Sequence, residues 1–256
     1  MASNQLVRTE IRDYIATVTL DRPPVNALSM DLYRAIANAF RELDRRGTDV
    51  RVAILTGASK CFCGGRDIKQ ADTDPPEERS ATVKDCFGAL YHCEVPVIAA
   101  VNGPAMGAGF ALAALCDVII ASEKAVFAIP EIDAGVNPGV AAFRRGFTEY
   151  QARKLAFTGE RISPQELYRL GVADQVVAPD DLLPSARKLA AVMAAKSPLI
   201  MRKAKWSANE TEKMVDFEQA YRAIESRVTV SLFNTQDSHE AGRSVIQKRA
   251  PKFKGA

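Results

Sequence analysis

The chain has 256 residues, of which 25% are charged and 47% hydrophobic, and its formal net charge is +3. These values are typical of a globular protein with a substantial core, and the small net charge gives no indication of nucleic-acid binding. The longest apolar stretches are interrupted well before membrane-spanning length, and Met1–Glu10 lacks the apolar core of a signal peptide. We therefore expect a cytoplasmic protein without a membrane or nucleic-acid partner.

Five cysteines, an odd number, favour reduced thiols over a disulfide framework. Cys61 and Cys63 lie in a turn between apolar residues and glycines, and no Cys or His cluster complements them. Because structural metal sites need such a complement, we expect small residues packing a turn there and no metal site.

Strands and helices alternate in the first part of the chain, which indicates an α/β fold. In chain order, the patterns predict a strand at Tyr14–Leu20, a helix from its N-cap Ser29 to Gly47, strands at Val50–Leu55 and Pro96–Val101, a short buried helix at Phe110–Cys116 and a strand at Val118–Ala121. Residues Ala71–Ser80 are rich in Asp, Pro and Glu and predict an exposed loop.

From Pro184 onward the chain is rich in Ala, Lys and Arg, and it shows helical patterns without strands. These patterns cover Ala186–Lys196, Pro198–Ala208, Thr211–Phe233 and Ser238–Lys248. We therefore divide the chain into an α/β part, residues 1–190, and a helical C-terminal part, residues 191–256.

Two glycine-bearing turns follow predicted strands, at Cys61–Ile68 and at Asn102–Gly109. Small residues let backbone N–H groups approach a ligand closely, and the second turn directly precedes a helix, whose first N–H groups are unpaired. The two turns together could hold an oxyanion, or both could be merely tight turns. A dinucleotide-binding turn is the weaker interpretation, because Leu112 stands where the third glycine of that fingerprint should be.

Among the acidic residues, Glu131 has the most suggestive setting, since it lies in the apolar run Val126–Gly135. Burial in such a run would raise its pKa toward the value useful to a base near neutral pH. A buried structural ion pair is the alternative. The two histidines, His92 and His239, are predicted to be surface or packing residues, and no G-x-S-x-G turn accompanies them.

The sequence resembles the crotonase superfamily, that is, the enoyl-CoA hydratase/isomerase family, over nearly its whole length. The motifs that carry the resemblance occur in order, at Asp21–Leu28, Phe62–Ile68, Pro96–Gly103, Met106–Gly109, Cys116–Asp117, Phe127–Glu131, Pro138–Gly139, Glu240–Arg249 and Phe253–Lys254. The resemblance implies a spiral of ββα repeats with a helical C-terminal region that drives assembly into a homotrimer or a hexamer.

The resemblance also implies an acyl-CoA thioester as substrate, and no cofactor beyond the coenzyme A that the substrate carries. Its thioester oxygen would accept hydrogen bonds from two backbone N–H groups, which by position are those of Arg66 and Ala108. Ala108 replaces the usual middle glycine, and Ala141 and Ala142 stand where a glycine pair is common. Gly139 occupies the position of the nucleophilic aspartate of the dehalogenase branch, so that chemistry has no candidate residue.

Family members that hydrate enoyl-CoA use two glutamates, and only the second, Glu131, is present, because position 111 is Ala111. A single base that takes a proton from one carbon and returns it to another suffices to move a double bond. We therefore expect enoyl-CoA isomerisation with Glu131 as the single acid/base. Hydration is the second expectation, and a family member without catalytic power that binds CoA esters or a partner is the third.

The resemblance further assigns a substrate pocket and a coenzyme A site. The pocket would be formed by Ala111, Val136, Pro138 and Gly139. Coenzyme A would meet Arg22, Val25, Gly65, Asp67, Ile68 and Lys248, and Lys248 could reach a phosphate from the same or a neighbouring subunit. For the basic residues, a solvated surface charge is the alternative interpretation.

Overall fold

The computed structural model describes residues 5–70 and 75–256. Its strands are β1 (Val7–Arg12), β2 (Ile15–Leu20), β3 (Val52–Gly57), β4 (Val97–Val101), β5 (Ala105–Met106), β6 (Val118–Ser122), β7 (Phe127–Ala128), β8 (Arg161–Ile162) and β9 (Gln175–Val177). Six of them form one sheet in the order β1-β2-β3-β4-β6-β9, and β5, β7 and β8 form a small second sheet. Only the β1–β2 pair of the large sheet is antiparallel.

The helices are α1 (Met30–Arg45), α2 (Pro76–Tyr91), α3 (Ala108–Leu115), α4 (Glu149–Thr158), α5 (Pro164–Arg169), α6 (Leu182–Ala194), α7 (Pro198–Thr211), α8 (Phe217–Ala220), α9 (Ser226–Leu232) and α10 (Gln236–Ile246). A π-helical turn, Tyr221–Glu225, joins α8 to α9. The predicted α/β class is therefore confirmed. No helix in the described ranges is both long and apolar enough to cross a membrane.

The central strands of the large sheet, β3, β4 and β6, are buried on both faces, which explains their continuous apolar runs. In β3, Ala53 and Leu55 point into the main core, whereas Val52 and Ile54 point to the opposite face. Helix α6 covers that opposite face with Leu182, Ala186, Ala190 and Ala194. Residue 190, where we placed the boundary between the two parts of the chain, thus lies inside a helix that packs on the sheet.

Helix α1 begins as predicted at Ser29, whose hydroxyl accepts a hydrogen bond from the Leu32 N–H at 3.2 Å. Its buried residues recur every three or four positions, which is the pattern of a helix that packs one face on a core. Its first turn follows directly on Leu28, which pairs with Arg66 in the first glycine-bearing turn.

Two predicted segments differ from the structure. Residues 71–74 of the predicted exposed loop lie outside the described residues, but residues 76–80 form the start of α2, so the loop prediction is wrong there. Pro76 stands at the first helical position and Glu77 and Glu78 in the first turn, which are favourable places for both residue types. The single helix predicted over Thr211–Phe233 is interrupted between α7 and α8.

Candidate active site

The backbone of residues 25–28 fixes the first glycine-bearing turn. The side chains of this segment contribute as well. Asn26 is buried, and its side-chain Nδ2 donates hydrogen bonds to the carbonyl oxygens of Cys61, at 2.9 Å, and Phe62, at 3.1 Å. The Leu28 N–H donates to Gly65 O and the Asp67 N–H donates to Leu28 O. These two bonds flank Arg66, so the Arg66 N–H points away from Leu28.

The second glycine-bearing turn lies directly against the first. The Met106 N–H donates to Cys63 O at 2.9 Å. A Cβ at Gly109 would lie 2.3 Å from Cys63 O, and a Cβ at Gly65 would lie 2.6 Å from Met106 O. Because real Cβ atoms do not approach oxygen so closely, both positions require glycine. This close approach brings Gly65 and the Ala108 N–H together, since a Cβ on Gly65 would lie 3.8 Å from Ala108 N.

The structure thus brings the two predicted oxyanion-hole donors into one place. Ala108 is the first residue of α3, so its N–H has no acceptor within the helix. Over the described ranges, neither the Arg66 nor the Ala108 N–H donates to a backbone carbonyl. Two neighbouring N–H groups without a backbone acceptor are suited to stabilising a developing negative charge on a thioester oxygen, and the Ala108 N–H also faces the Glu131 carboxylate.

Glu131 lies beside this pair of N–H groups. It sits in the short 3₁₀ turn Pro130–Ile132, and its carboxylate packs against the Cα of Gly107. A Cβ at Gly107 would lie only 2.2 Å from Glu131 Oε1, and Gly107 has a φ of +53°. Glycine is therefore required at position 107 both by backbone conformation and by the space that the carboxylate occupies.

Burial raises the pKa of Glu131 above its usual value, because desolvation disfavours the charged form. Hydrogen bonding to the backbone of Glu131 itself and of Ala108, and the positive charge of Arg66, oppose this rise. The Oε2 atom is buried and finds no hydrogen-bond partner among the described residues. Glu131 also makes no ion pair with any described residue, so the alternative of a structural ion pair is wrong within those ranges. An unpaired carboxylate with a raised pKa is suited to proton transfer.

Position 111 lies on α3, one helical turn after Ala108. Ala111 is buried, and its N–H donates to Gly107 O at 2.9 Å. The adjacent Phe110 anchors the helix, with its ring 5.0 Å from that of Phe127 and 4.8 Å from that of Phe143. Helix α3, which carries the predicted oxyanion-hole donor Ala108, thus presents a methyl group at position 111, where the resemblance would place a first catalytic glutamate.

The other predicted pocket residues follow Glu131 in an irregular segment. The Val136 N–H donates to Glu131 O at 3.0 Å, which ties the segment back to the 3₁₀ turn. Pro138 is half-buried, and Gly139 is exposed with open space beside its Cα. Of the predicted pocket residues in this segment, Val136 is therefore held close to Glu131 by a backbone hydrogen bond.

The predicted coenzyme A residues fall into two groups. Arg22 and Asp67 form an ion pair at 2.7 Å, and the Arg22 guanidinium also donates to Ala27 O at 2.9 Å. Both side chains therefore brace the first turn. Val25 and Ile68, in contrast, are apolar but 42% and 68% exposed on the outside of that turn, as ligand-contacting residues would be.

The remaining predicted contact, Lys248, follows α10 and is exposed. Among the described residues, its side chain takes part in no ion pair or hydrogen bond. His92 and His239 are exposed, as predicted. All five cysteines are free and buried, and no group of three or more metal-ligating side chains occurs over residues 5–70 and 75–256.

Tyr33 is a residue of the site region that the sequence did not reveal. It lies in the first turn of α1 and is 3% exposed. Burial raises the pKa of its hydroxyl group, with Cys63 and Cys86 acting in the same direction ahead of the charges of Arg66 and Glu131. Tyr33 lies on the apolar face of α1, so the helical pattern predicted a core residue and gave no sign of a role for its hydroxyl group.

Comparisons with known proteins identify the family and the fold of the chain. The model of the enoyl-CoA hydratase/isomerase family matches residues 10–256. The chain is 35% identical to 2,3-dehydroadipyl-CoA hydratase of Escherichia coli, over 94% of this chain and 95% of that protein. It is 36% identical to a probable enoyl-CoA hydratase of Mycobacterium leprae, over 93% and 94% of the two chains. A crystal structure from Geobacillus kaustophilus, titled as an enoyl-CoA hydratase subunit, superposes with a TM-score of 0.90 at 32% identity, covering 98% of each chain. The predicted crotonase fold is thereby confirmed.

Proposed function

Since the chain belongs to the enoyl-CoA hydratase/isomerase family, we propose that it moves the double bond of an enoyl-CoA thioester, with Glu131 as its single acid/base. The observation that carries this proposal is a half-buried Glu131 whose Oε2 atom is buried without a hydrogen-bond partner, together with a methyl group, not a second carboxylate, at Ala111. Addition of water needs one group to position the water and another to deliver a proton. Transfer of a proton between two carbons needs only one base within reach of both.

In the proposed reaction, the thioester oxygen of a 3-enoyl-CoA accepts hydrogen bonds from the N–H groups of Arg66 and Ala108. The Glu131 carboxylate removes a proton from C2, and the electron pair of that bond delocalises over the thioester and the double bond as a dienolate. The same carboxyl group then returns the proton to C4, which leaves a 2-enoyl-CoA of unchanged mass. Each N–H donor would stabilise the enolate, and losing one typically costs about 2.7–4 kcal/mol.

The protein requires no cofactor for this chemistry, because the coenzyme A arrives with the substrate. We place the acyl chain near Ala111, Val136, Pro138 and Gly139. Coenzyme A would follow the outside of the first turn, along Gly65, Val25 and Ile68, with Arg22 and Asp67 holding that turn in shape and Lys248 contacting a phosphate.

Incubation of the purified protein with a 3-enoyl-CoA and, separately, with a 2-enoyl-CoA tests the proposal. We expect the 3-enoyl-CoA to be converted to the 2-enoyl-CoA without a change of mass. Chromatography against standards of the two isomers measures this conversion. Rapid gain of one water by the 2-enoyl-CoA would instead identify a hydratase and contradict the single-carboxylate argument.

Hydration is the second candidate, and the names of the relatives favour it. The Escherichia coli relative is named a hydratase, and a relative from Salmonella typhi, 34% identical, is named carnitinyl-CoA dehydratase. The same incubation separates the two reactions. A third candidate, a catalytically weak binder of CoA esters, would change neither substrate while still binding a saturated acyl-CoA.

We further propose a homotrimer or a dimer of trimers, in the cytoplasm. The C-terminal helices support this assembly, because Val215, Phe217, Val230 and Phe233 are large apolar residues that are between 62% and 105% exposed in the single chain. Light scattering during size-exclusion chromatography should give a mass of three or six chains. Phe233→Asp should shift it toward one chain, whereas a monomeric parent protein would contradict the proposal.

A further inference from the structure

Helix α3 carries the predicted oxyanion-hole donor, Ala108, at its first position, and few of its own groups hold it in place. It has eight residues, too few for a helix to be stable alone, and its N-cap residue, Gly107, has no side chain to accept from the first N–H groups. At the other end, Leu112 O and Ala113 O accept hydrogen bonds from the thiol and the N–H of Cys116. The carbonyl groups that follow need donors from outside the helix.

Arg145 supplies those donors. Its Nη1 atom donates to Leu115 O at 2.9 Å, to Cys116 O at 3.1 Å and to Ala114 O at 3.4 Å. A cation at the C-terminus of a helix also interacts favourably with the helix dipole. One side chain from a distant turn thus completes the hydrogen bonding of the helix that carries the oxyanion-hole donor.

The Arg145 guanidinium is itself held by residues of two other helices. Its Nε donates to the carboxylate of Glu212, directly after α7, at 3.0 Å, and the Arg145 side chain is only 18% exposed. The ring of Tyr91, at the end of α2, lies 5.2 Å from the Arg145 Cζ atom, a distance at which a ring attracts a cation. The Tyr91 hydroxyl group donates to Asn209 O at 3.2 Å, and the Asn209 side chain donates to Tyr91 O at 2.9 Å. These contacts hold the guanidinium in one position.

The 3₁₀ turn that carries Arg145, Phe143–Arg145, also packs on the side of α3. The rings of Phe143 and Phe147 lie 4.8 Å and 6.1 Å from the ring of Phe110. Apolar contacts of this kind restrain the helix sideways but have little directional preference along its axis. Hydrogen bonds to the last carbonyl groups are directional, so they restrain the helix along its axis.

We propose that Arg145 is a positioning residue for the reaction, in that it holds the C-terminal end of α3 and thereby keeps the Ala108 N–H at hydrogen-bond distance from the thioester oxygen. This inference rests on the proposed function, because it requires that oxygen to accept from Ala108. Without Arg145, α3 shifts along its axis, whereas the first glycine-bearing turn and its coenzyme A contacts stay in place. The loss therefore falls on the transition state more than on binding.

The carbonyl stretch of a bound saturated thioester tests the inference without a reaction. Butanoyl-CoA with an isotope-labelled carbonyl carbon is bound to saturation, and difference infrared spectroscopy gives the fall in stretching frequency relative to the free thioester. This fall measures the hydrogen bonds that the carbonyl oxygen accepts. Of the two proposed donors, only Ala108 depends on α3, so Arg145→Gln should lose about half of the fall. Arg145→Lys, which keeps a cation at the end of the helix, should restore part of it.

Kinetics supply a second measurement with a matched control. For Arg145→Gln we expect kcat with a 3-enoyl-CoA to fall about tenfold while KM changes less than about twofold, and Arg145→Lys should recover part of kcat. Arg144→Gln is the control, because Arg144 is the adjacent residue of the same turn, is exposed and pairs with Glu149. It should keep the carbonyl frequency and the kinetic constants of the parent protein.

Glu212→Gln covers the case in which Arg145→Gln does not fold. It leaves the bonds to the α3 carbonyl groups, weakens the hold on the guanidinium and should give a smaller loss in the same direction. If the folded variant were less stable to heat but kept the parent frequency and kcat, Arg145 would be purely structural and the inference would be overturned. A parent protein that left the frequency unshifted would overturn both the inference and the proposed oxyanion hole. Hydratase activity in the separate test by mass would overturn only the proposed isomerisation, since both reactions polarise the same carbonyl group.

Discussion

The turns around Glu131 and the C-terminal segment both hold an irregular backbone in one geometry, but they do so with different groups. At the turns, main-chain hydrogen bonds and glycines set the geometry, as in the bond from the Met106 N–H to Cys63 O. In the C-terminal segment, residues 236–256, buried carboxylates hold the backbone in place by accepting hydrogen bonds. Asp237 is 1% exposed and accepts hydrogen bonds from Ser197 Oγ at 2.6 Å and the Lys254 N–H at 2.8 Å.

This difference has a consequence for function. A turn that is held mainly by main-chain hydrogen bonds leaves two N–H groups without a backbone acceptor, and it depends little on its side chains apart from Asn26 and the Arg22–Asp67 pair. A segment that is held by carboxylates depends on those side chains and on their ionisation. We therefore expect the site to be sensitive to glycine replacement and tolerant of other changes, and the C-terminal segment to be sensitive to acid.

The largest effect should come from Glu131→Gln, which removes the proposed acid/base and keeps the shape of the side chain. We expect kcat for a 3-enoyl-CoA to fall by about 1,000-fold, within the range for general acid–base catalysis. Binding of a saturated acyl-CoA should persist, because the backbone donors are unchanged. Full activity of the variant would make Glu131 a structural residue.

Gly107→Ala should have the next largest effect. The new Cβ would need the space of the Glu131 carboxylate, on a backbone with φ of +53°. Displacement of the base by an ångström is expected to lower kcat/KM about 100-fold. Gly88→Ala is the matched control, since nothing lies within 4 Å of its Cβ on helix α2. That variant should be fully active and as stable as the parent protein.

The raised pKa of Glu131 predicts the acid side of the pH–rate profile. The reaction starts from the ionised carboxylate, so kcat/KM should fall tenfold per pH unit below the pKa of Glu131 in the free enzyme. Because burial raises this pKa, the decline should begin at a higher pH than the usual value for glutamate, 4.5, would give. A profile that stays level down to that value would indicate a solvated carboxylate.

In the C-terminal segment the pKa shift has the opposite direction, and acid should lower stability there. Hydrogen bonds from Arg249 and from the Lys252 N–H hold the pKa of Glu240 at about 2, below its usual value. A lowered pKa stabilises the folded state above the unfolded value of 4.5, and this contribution disappears as the pH falls toward 2. Thermal unfolding should therefore show Glu240→Gln to be less stable than the parent protein at pH 7 and equally stable near pH 2. An equal deficit at both pH values would contradict this account.

The sequence predicted the part of the fold and site that local rules determine. The Ser29 cap, the central strands and the two glycine-bearing turns follow from patterns within a few residues. The short strands β5, β7 and β8 exist only because distant segments pair, so no local pattern indicated them. The sequence did not single out Tyr33 for the same reason, since the surroundings of its hydroxyl group come from residues distant in the chain.

The smallest effect should come from Ala108→Gly, which tests the tolerance of the site to side-chain change. The position donates a backbone N–H, and glycine keeps that group while removing a methyl group at the first position of α3. We expect kcat/KM to change by about threefold or less, because the helix is anchored by Phe110 and the first turn lies against Cys63. Steady-state kinetics with a 3-enoyl-CoA measures this. A loss as large as that of Gly107→Ala would mean that the methyl group of Ala108 itself shapes the site, and the contrast with the carboxylate-held segment would then fail.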